Sequence, residues 1–290
     1  MTTHTILWNG TPIQLDVHPT PGPAKAAILY LHGGALLYGT RQDLPSSYIQ
    51  TITGRGFYLV CADYLLSPES PLRDIHHSVD LVFDWFLSHC REHLGPAVPY
   101  VLFGRSAGGY LALTLAHRAC TKGLQPPAAL WCFYGYSTLL HPLFLRPSSY
   151  YLRLPQLPEE LCLAPSAQAP LSQAPIERRF YLYTSARQKG IWPQLLSPDP
   201  QELEQFSVPP SGLALLPPAF LTASTSDQDV PFSFSKVLSQ QIPGSQFLPV
   251  FGLEHDYDRN PALPESQTLY ETALNWLDCQ LYSAAPPHKT

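Results

Sequence analysis

The chain has 290 residues, enough to bury the core of one large α/β domain. Hydrophobic residues make up 45% of it and charged residues 13%, which excludes a disordered chain and predicts a compact, well-buried fold. The formal net charge of -5 leaves no basic excess to grip a phosphate backbone, so we expect no nucleic-acid partner.

Short apolar runs alternate with longer amphipathic segments along the chain. The runs predict strands at 13–17, 26–31, 57–62, 99–103, 128–133, 219–223 and 246–251. The amphipathic and apolar segments predict helices at 75–93, 107–121, 232–241 and 266–281. Strands that are apolar throughout and alternate with helices are typical of a parallel sheet covered on both faces. The predicted fold class is therefore α/β, a mostly parallel twisted sheet with helices on both faces.

The alternation stops at about 141–218, a segment that holds 14 of the 32 prolines. Its aromatic residues include Tyr150, Tyr151, Phe180, Tyr181, Tyr183 and Trp192. An insertion between two core strands predicts a cap-like segment over the carboxyl edge of the sheet, within a single domain spanning 1–290. A surface excursion with no role is the alternative. The aromatic side chains could line an acyl pocket or form a small core of the insertion, and the sequence leaves both open.

A nucleophile motif follows the predicted strand at 99–103. Gly104, Ser106 and Gly108 form G-x-S-x-G between a buried strand and a buried helix, which is the context that gives this motif its meaning. So tight a turn strains the backbone of the serine, and glycines two residues away remove side chains that would collide there. We therefore expect Ser106 to be a nucleophile. A small-residue turn that only allows close helix packing is the alternative.

A glycine-rich turn follows the strand at 26–31 and reads His32-Gly33-Gly34-Ala35. Acyl transfer needs donors aimed at the developing oxyanion, and backbone N–H groups in such a turn can supply them. A further donor would be the N–H of Ala107, directly after the nucleophile. Taken alone, the motif could equally be an ordinary turn after a strand.

A serine nucleophile needs a base and a carboxylate that orients the base, in the chain order serine, acid, histidine. The histidines considered after the nucleophile are His141, His255 and His288. We favour His255 because it follows the strand at 246–251, where a loop would leave the carboxyl edge. Asp227 and Asp229 follow the preceding strand, and both remain candidates for the acid. Sequence neighbours of the histidine, Asp256 and Asp258, are poor orienters because they rarely reach the imidazole Nδ1.

Together these motifs resemble the α/β-hydrolase superfamily, and within it the hormone-sensitive-lipase-like carboxylesterase branch, which includes small bacterial uncharacterised hydrolases. The resemblance covers nearly the whole chain outside the insertion. It implies a catalytic triad of Ser106, Asp227 and His255, because the family acid usually lies four residues before the proline of this segment. It implies oxyanion N–H donors at Gly34, Ala35 and Ala107.

Two positions depart from the family pattern. Ala35 replaces a third glycine, so its methyl group narrows the site while its N–H can still donate. Arg105 replaces an acidic residue before the nucleophile. The reversed charge could suit an acidic or carboxylated substrate, or Arg105 could simply pair with a nearby carboxylate.

The resulting hypothesis is a carboxylesterase-like serine hydrolase that cleaves an ester of a small molecule through an acyl-enzyme. It requires no organic cofactor and no metal. The H-x-x-x-H spacing of His89 and His93 shows no third ligand and predicts a solvated helix end. A peptidase of the prolyl-oligopeptidase kind and a non-catalytic small-molecule binder on the same scaffold are the alternatives. The oligomeric state is not predicted.

The expected compartment is the cytoplasm. The N-terminal segment lacks the basic start and apolar core of a signal peptide, and no apolar run approaches the ~20 residues needed to cross a bilayer. The six cysteines are far apart and include no C-x-x-C pair, which predicts neither a disulfide framework nor a structural zinc site. They are Cys61, Cys90, Cys120, Cys132, Cys162 and Cys279.

Overall fold

The computed structural model describes residues 1–157 and 169–284. Two residues named above, Cys162 and His288, lie outside the described residues.

An eight-stranded sheet forms the centre of the described chain. Its strands are β1 (Thr2–Trp8), β2 (Thr11–His18), β3 (Ala26–Leu31), β4 (Phe57–Ala62), β5 (Tyr100–Arg105), β6 (Ala129–Phe133), β7 (Ala219–Ser224) and β8 (Gln246–Val250). They lie in the order β1-β2-β4-β3-β5-β6-β7-β8. The strands from β4 and β3 through β8 pair in parallel, whereas β2 pairs antiparallel with both β1 and β4. The predicted fold class is confirmed.

Helices cover both faces of this sheet. The helices of the described residues are α1 (Ser46–Gly54), α2 (Leu72–Leu94), α3 (Ala107–Thr121), α4 (Ile176–Lys189), α5 (Trp192–Leu196), α6 (Pro200–Gln205), α7 (Pro210–Leu213), α8 (Phe232–Gln241) and α9 (Pro264–Ala284), of which α4 to α7 belong to the insertion. Single 3₁₀ turns lie at Tyr151–Arg153 and Tyr257–Arg259. No helix within the described residues combines the length and the apolar character that a membrane span requires.

Alternate side chains of β3 show why its sequence is apolar throughout. Leu29 and Leu31 enter the core layer that contains α2 and α3, while Ile28 and Tyr30 enter the layer that contains α1 and α9. A strand buried on both faces gains from apolar residues at every position. Both layers meet at β5, whose carboxyl end leads into α3.

The sequence pattern does not predict β1 or α1. β1 is the outer strand of a hairpin and buries none of its residues fully, so it carries no core signal. Asn9 and Gly10 form its turn with positive φ angles of 44° and 87°, the asparagine–glycine chemistry that favours tight hairpins. In α1 only Tyr48 and Ile52 are buried, too few for a clear helical stripe.

The described parts of the segment between β6 and β7 pack on the core. Antiparallel bridges join Gly39 to Ala174 and Leu66 to Leu171. The rings of Tyr151, Tyr183 and Trp192 belong to the same hydrophobic cluster as α2 and α3. These rings therefore extend the main core, and Tyr151 together with Tyr150 and Phe180 also lines a cavity described below.

The close packing of α3 on β3 depends on Gly108. A Cβ atom at this position would lie 2.0 Å from the carbonyl oxygen of Leu31 and 2.5 Å from that of His32. Both are backbone atoms at the end of a central strand, so relief requires that α3 move off the sheet.

We expect Gly108→Ala to lower the free energy of unfolding by about 3 kcal/mol or more, measured by urea denaturation.

Gly22→Ala is the matched control, because a Cβ there meets nothing within 4 Å. Its unfolding midpoint should stay close to that of the parent chain. An unchanged midpoint for Gly108→Ala would contradict the packing described for α3.

Candidate active site

Ser106 lies in the turn where β5 becomes α3, and its backbone is left-handed with φ 53° and ψ -117°. This conformation is strained for a residue with a side chain. The flanking glycines make it possible, because a Cβ at Gly104 would lie 2.0 Å from the carbonyl oxygen of Gly108. The N–H of Ser106 donates to the carbonyl of Phe133 at 2.9 Å, which fixes the turn to β6.

The structure brings the three predicted triad residues together above the carboxyl edge of the sheet. The Nε2 atom of His255 lies 3.0 Å from Oγ of Ser106, and its Nδ1 atom lies 2.6 Å from Oδ2 of Asp227. Asp227 follows β7 and His255 follows β8, so parallel neighbours deliver them to one edge. With Nδ1 protonated, Nε2 can accept the hydroxyl proton of Ser106.

The carboxylate of Asp227 is held in place by the backbone as well as by the histidine. Its Oδ1 atom accepts the backbone N–H groups of Asp229 and Val230, both at 2.9 Å. Its side chain is 1% exposed, so water does not compete for Oδ2. Two backbone donors on one oxygen leave the other oxygen aimed at His255.

The charge around His255 favours its protonated form. Burial by itself lowers the pKa of His255, but the charge and hydrogen bond of Asp227, with the charges of Asp229 and Asp256, outweigh it and raise the pKa to about 9. The side chain of His255 is 19% exposed, on the side that faces a cavity. Three carboxylates therefore act on one imidazole.

The other residues considered for these positions lie elsewhere or have other partners. His141 packs its ring 4.4 Å from that of Phe234. Asp229 accepts hydrogen bonds on Oδ1 from Tyr183 and Arg187, and its Oδ2 lies 4.0 Å from Nε2 of His255. The carboxylate that meets Nδ1 is thus Asp227.

The glycine-rich turn after β3 lies against the nucleophile. A Cβ at Gly33 would lie 3.1 Å from the carbonyl oxygen of Arg105 and 3.4 Å from Cβ of Ser106, so this glycine packs directly on the nucleophile turn. Gly34 and Ala35 take positive φ angles of 102° and 56°. Their N–H groups and that of Ala107 donate to no acceptor within residues 1–157 and 169–284.

The turn is held from two sides. His32 is buried, and its Nδ1 lies 2.7 Å from the carbonyl of Gly33. Trp192 of α5 donates its indole N–H to the carbonyl of Ala35 at 3.0 Å. The insertion therefore contacts the candidate oxyanion turn directly, a link that no local sequence signal indicates.

A family model of the alpha/beta hydrolase fold matches residues 28–228. The chain belongs to the alpha/beta hydrolase fold family. This membership confirms the resemblance carried by the motifs and supports a hydrolase as the coarse assignment.

Solved structures of similar proteins agree with this hydrolase fold. An alpha/beta hydrolase superfamily protein from Enterococcus faecalis is 30% identical, with a TM-score of 0.81 over 95% of this chain and 98% of that chain. A protein of unknown function from Staphylococcus aureus is 28% identical, with a TM-score of 0.88 over 97% of this chain and 100% of that chain. An esterase from Pyrobaculum calidifontis shares the fold at 18% identity and a TM-score of 0.71, over 98% of this chain and 85% of that chain.

The curated relatives match only part of this chain. A non-reducing polyketide synthase from Penicillium rubens is 32% identical over 152 residues, which is 50% of this chain and 6% of that protein. The chain thus matches a small part of the length of these much longer relatives.

Arg105 is the residue whose role the sequence leaves open, and it points into the protein. Its side chain is 2% exposed. Its Nη2 donates to Asp256 and, at 3.0 Å, to Asp258, and its Nε donates to Tyr134 at 2.7 Å. Of the two alternatives left open for Arg105, pairing with nearby carboxylates is the one that the structure shows.

These bonds join the strained turn to the loop that carries His255. Asp258 is fully buried and also accepts the hydroxyl of Tyr270 at 2.9 Å, while the hydroxyl of Tyr48 donates to its backbone carbonyl at 2.9 Å. The sequence singled out Asp256 and Asp258 only as poor orienters. A cation directly before the nucleophile was the one signal that could have indicated their partner.

A cavity of about 540 Å³ opens above Ser106 and His255. Its aromatic lining consists of Tyr38, Tyr150, Tyr151 and Phe180. Its acidic lining consists of Asp43, Glu177, Asp229, Glu254 and Asp256, against the basic residues Arg105 and Arg259. The insertion thus contributes part of the wall, and acidic groups outnumber basic ones around the nucleophile.

His89 and His93, which share the spacing of a possible metal site, pack against other rings instead. His89 is buried instead of solvated, with Nε2 2.9 Å from the hydroxyl of Tyr58 and its ring 4.0 Å from that of His93. Within residues 1–157 and 169–284, no group of three or more potential ligands is placed to hold a metal ion.

Loss of the guanidinium of Arg105 should destabilise the protein strongly. Arg105→Met leaves the buried carboxylate of Asp258 without its cation, and an uncompensated buried charge costs about 3–5 kcal/mol. Guanidinium chloride denaturation of the purified variant measures this loss.

Arg73→Met serves as the control, because Arg73 is 65% exposed and lies 3.9 Å from Asp74. An exposed pair of this kind contributes less than about 1 kcal/mol. Equal stability losses in the two variants would contradict the described role of Arg105.

Proposed function

We propose that this chain is a serine hydrolase that cleaves a carboxylic ester of a small substrate through an acyl-enzyme. The observation that carries the proposal is the hydrogen-bonded series from Asp227 through His255 to Ser106, which ends at a cavity. A serine hydroxyl becomes an effective nucleophile when a base within hydrogen-bond reach accepts its proton. Each of the two contacts lies within that reach.

Acylation begins when His255 accepts the proton of Ser106 as Oγ attacks the ester carbonyl carbon. The imidazolium that forms is stabilised by the carboxylate of Asp227, which also holds Nδ1 in the required tautomer. The same imidazolium then gives its proton to the leaving alcohol. The carboxylate of Asp227 is buried and already accepts two backbone hydrogen bonds, so it needs no reorganisation during the reaction, which supports this role.

We assign the oxyanion site to the N–H groups of Gly34, Ala35 and Ala107. Support comes from their lack of an acceptor among the described residues and from the contact of this turn with Ser106. The N-terminus of α3 adds a favourable dipole where negative charge develops. Donors that are fixed in advance stabilise the tetrahedral intermediate more than the planar ester.

Deacylation repeats these steps with water. His255 accepts a proton from water, which attacks the acyl carbon, and the proton then returns to Oγ of Ser106. The proposed reaction uses only groups of the chain and water, so it names no cofactor.

We also propose that the insertion at about 141–218 is a cap on a single domain. Tyr150, Tyr151 and Phe180 provide apolar surface beside the nucleophile, which suits the hydrocarbon part of an ester. The acidic excess of the lining disfavours a substrate that carries a carboxylate.

The alternatives make different demands on the same site. A peptidase would cleave peptide bonds in addition to esters, whereas an esterase would cleave esters alone, and a non-catalytic binder would leave Ser106 unreactive toward a fluorophosphonate probe. The esterase from Pyrobaculum calidifontis shares the fold only, and the curated relatives include non-reducing polyketide synthases. Polyketide-type acyl esters therefore belong in a substrate panel beside nitrophenyl esters of increasing chain length.

The decisive variant is Ser106→Ala, which removes the nucleophile and little else. On the best nitrophenyl ester we expect kcat to fall by about 10⁴ to 10⁶, because no acyl-enzyme can form. The thermal unfolding midpoint should change little. A folded variant that keeps its turnover would reject the proposed mechanism.

The pH dependence follows from the charge around His255. Only the neutral imidazole can act as base, and its pKa of about 9 leaves about one-hundredth of it neutral at pH 7. We expect kcat/KM to rise with pH through the neutral range and to level off above about pH 9. A profile that is flat from pH 7 to 9 would contradict this expectation.

A further inference from the structure

Asp229 is held in place by the insertion. Its Oδ1 atom accepts the hydroxyl of Tyr183 at 2.7 Å and Nη1 of Arg187 at 2.8 Å, and both donors lie on α4. Nη2 of Arg187 also donates to the backbone carbonyl of Asp229 at 3.2 Å. The N–H of Asp229 in turn donates to Asp227, so backbone and side chain are both fixed.

Arg187 is an unusual support for a carboxylate because it is almost fully buried, with 3% of its side chain exposed. Its guanidinium carbon lies between 5.3 and 5.8 Å from four ring centroids. The rings are those of Phe144, Tyr151, Tyr183 and Trp192. A cation stacked among rings and paired with one carboxylate has little freedom to move.

The second carboxylate oxygen of Asp229 lies near the ring nitrogen of His255 that contacts Ser106. Oδ2 lies 4.0 Å from Nε2 of His255, and Asp229 lines the cavity with 14% of its side chain exposed. Nε2 is the atom through which every proton of the proposed mechanism passes. Asp227 therefore contacts Nδ1 of His255, while the carboxylate of Asp229 is held near the other ring nitrogen, Nε2.

We infer that Asp229, held by Arg187, is a positioning residue that governs how strongly His255 keeps its proton during the cycle. This inference rests on the proposed function, in which His255 is the base. Asp229 does not replace Asp227, which alone meets Nδ1. Its charge lies beside the proton that arrives from Ser106 and leaves with the alcohol.

The charge of Asp229 has two opposed effects. It stabilises the imidazolium formed during attack, and it also raises the pH above which the imidazole of His255 is neutral and can act as a base. Arg187 offsets part of this charge, so the balance depends on an ion pair that reaches from the insertion to the acid loop.

Other charged or titratable groups also act near His255 and Asp229. They are Asp227 after β7, Asp256 and Arg259 on the histidine loop, Arg105 at the strained turn, Tyr134 after β6, Tyr38 after the glycine-rich turn, Tyr151 on the first 3₁₀ turn, and Tyr183 and Arg187 on α4.

The test is the pH profile of kcat/KM in Asp229→Asn, which keeps the shape and the hydrogen-bond acceptor but removes the charge. The midpoint of the profile should move to lower pH by about one unit, so that kcat/KM at pH 7 rises relative to its own plateau by about tenfold. Asp229→Ser should shift the midpoint in the same direction. Asp229→Glu, which keeps the charge, should leave it near the parent value.

Glu271→Gln is the matched control, because it removes one negative charge from the exposed side of α9. Its midpoint should equal that of the parent. If Asp229→Asn and Asp229→Ser both fold and keep the parent midpoint, the inference is overturned. The same holds if Glu271→Gln shifts as far as they do.

A second measurement separates this inference from the proposed function. Ring-nitrogen NMR titration of His255 in a Ser106→Ala background, assigned by its loss in His255→Gln, follows protonation without any turnover. A downward shift on adding Asp229→Asn supports the inference even where no ester is cleaved. An unshifted titration overturns it even where esters are cleaved through Ser106.

Discussion

A buried strand becomes a buried helix with only Ser106 between them, and this turn constrains the rest of the site. The left-handed backbone of Ser106 is tolerated because Gly104 and Gly108 let two chain segments approach to distances that no Cβ permits. The same approach places the glycine-rich turn and the start of α3 around one point above the sheet. The acid and histidine loops then need only reach that point from β7 and β8.

Buried ion pairs hold these loops, in a chain where charged residues are scarce. Arg105 joins the strained turn to the histidine loop, and Arg187 joins the insertion to the acid loop. Arg41, which follows the glycine-rich turn, pairs with Asp16 on β2 and with Asp63 directly after β4. Burying such charges is costly, so their benefit lies in fixing which loop meets which, more than in added stability.

The sheet and the motif positions could be predicted from sequence because both depend on local patterns. Continuous apolar runs identify strands buried on two faces, and the strand–turn–helix context of Ser106 limits what that turn can be. The same logic fails at β1, whose hairpin is exposed and leaves no core signal. It also fails where partners are remote in sequence, since the pairing of Arg105 with Asp258 spans 153 positions.

The site shows a similar division. Chain order and strand ends sufficed to nominate His255 and two acids, and the family resemblance favoured Asp227. The physical difference between the acids lies in their packing, because Asp227 accepts two backbone N–H groups whereas Asp229 accepts Tyr183 and Arg187. Those last two donors come from the proline-rich segment, where the sequence offers no periodicity to place them. The contribution of Trp192 to the turn at Ala35 is hidden for the same reason.

The fastening of the insertion has a consequence for how substrate enters. Its backbone bridges at Gly39 and Leu66, together with the indole bond to Ala35, would all have to break before the segment could swing aside. The cavity above Ser106 can therefore be reached while all three of these contacts remain intact.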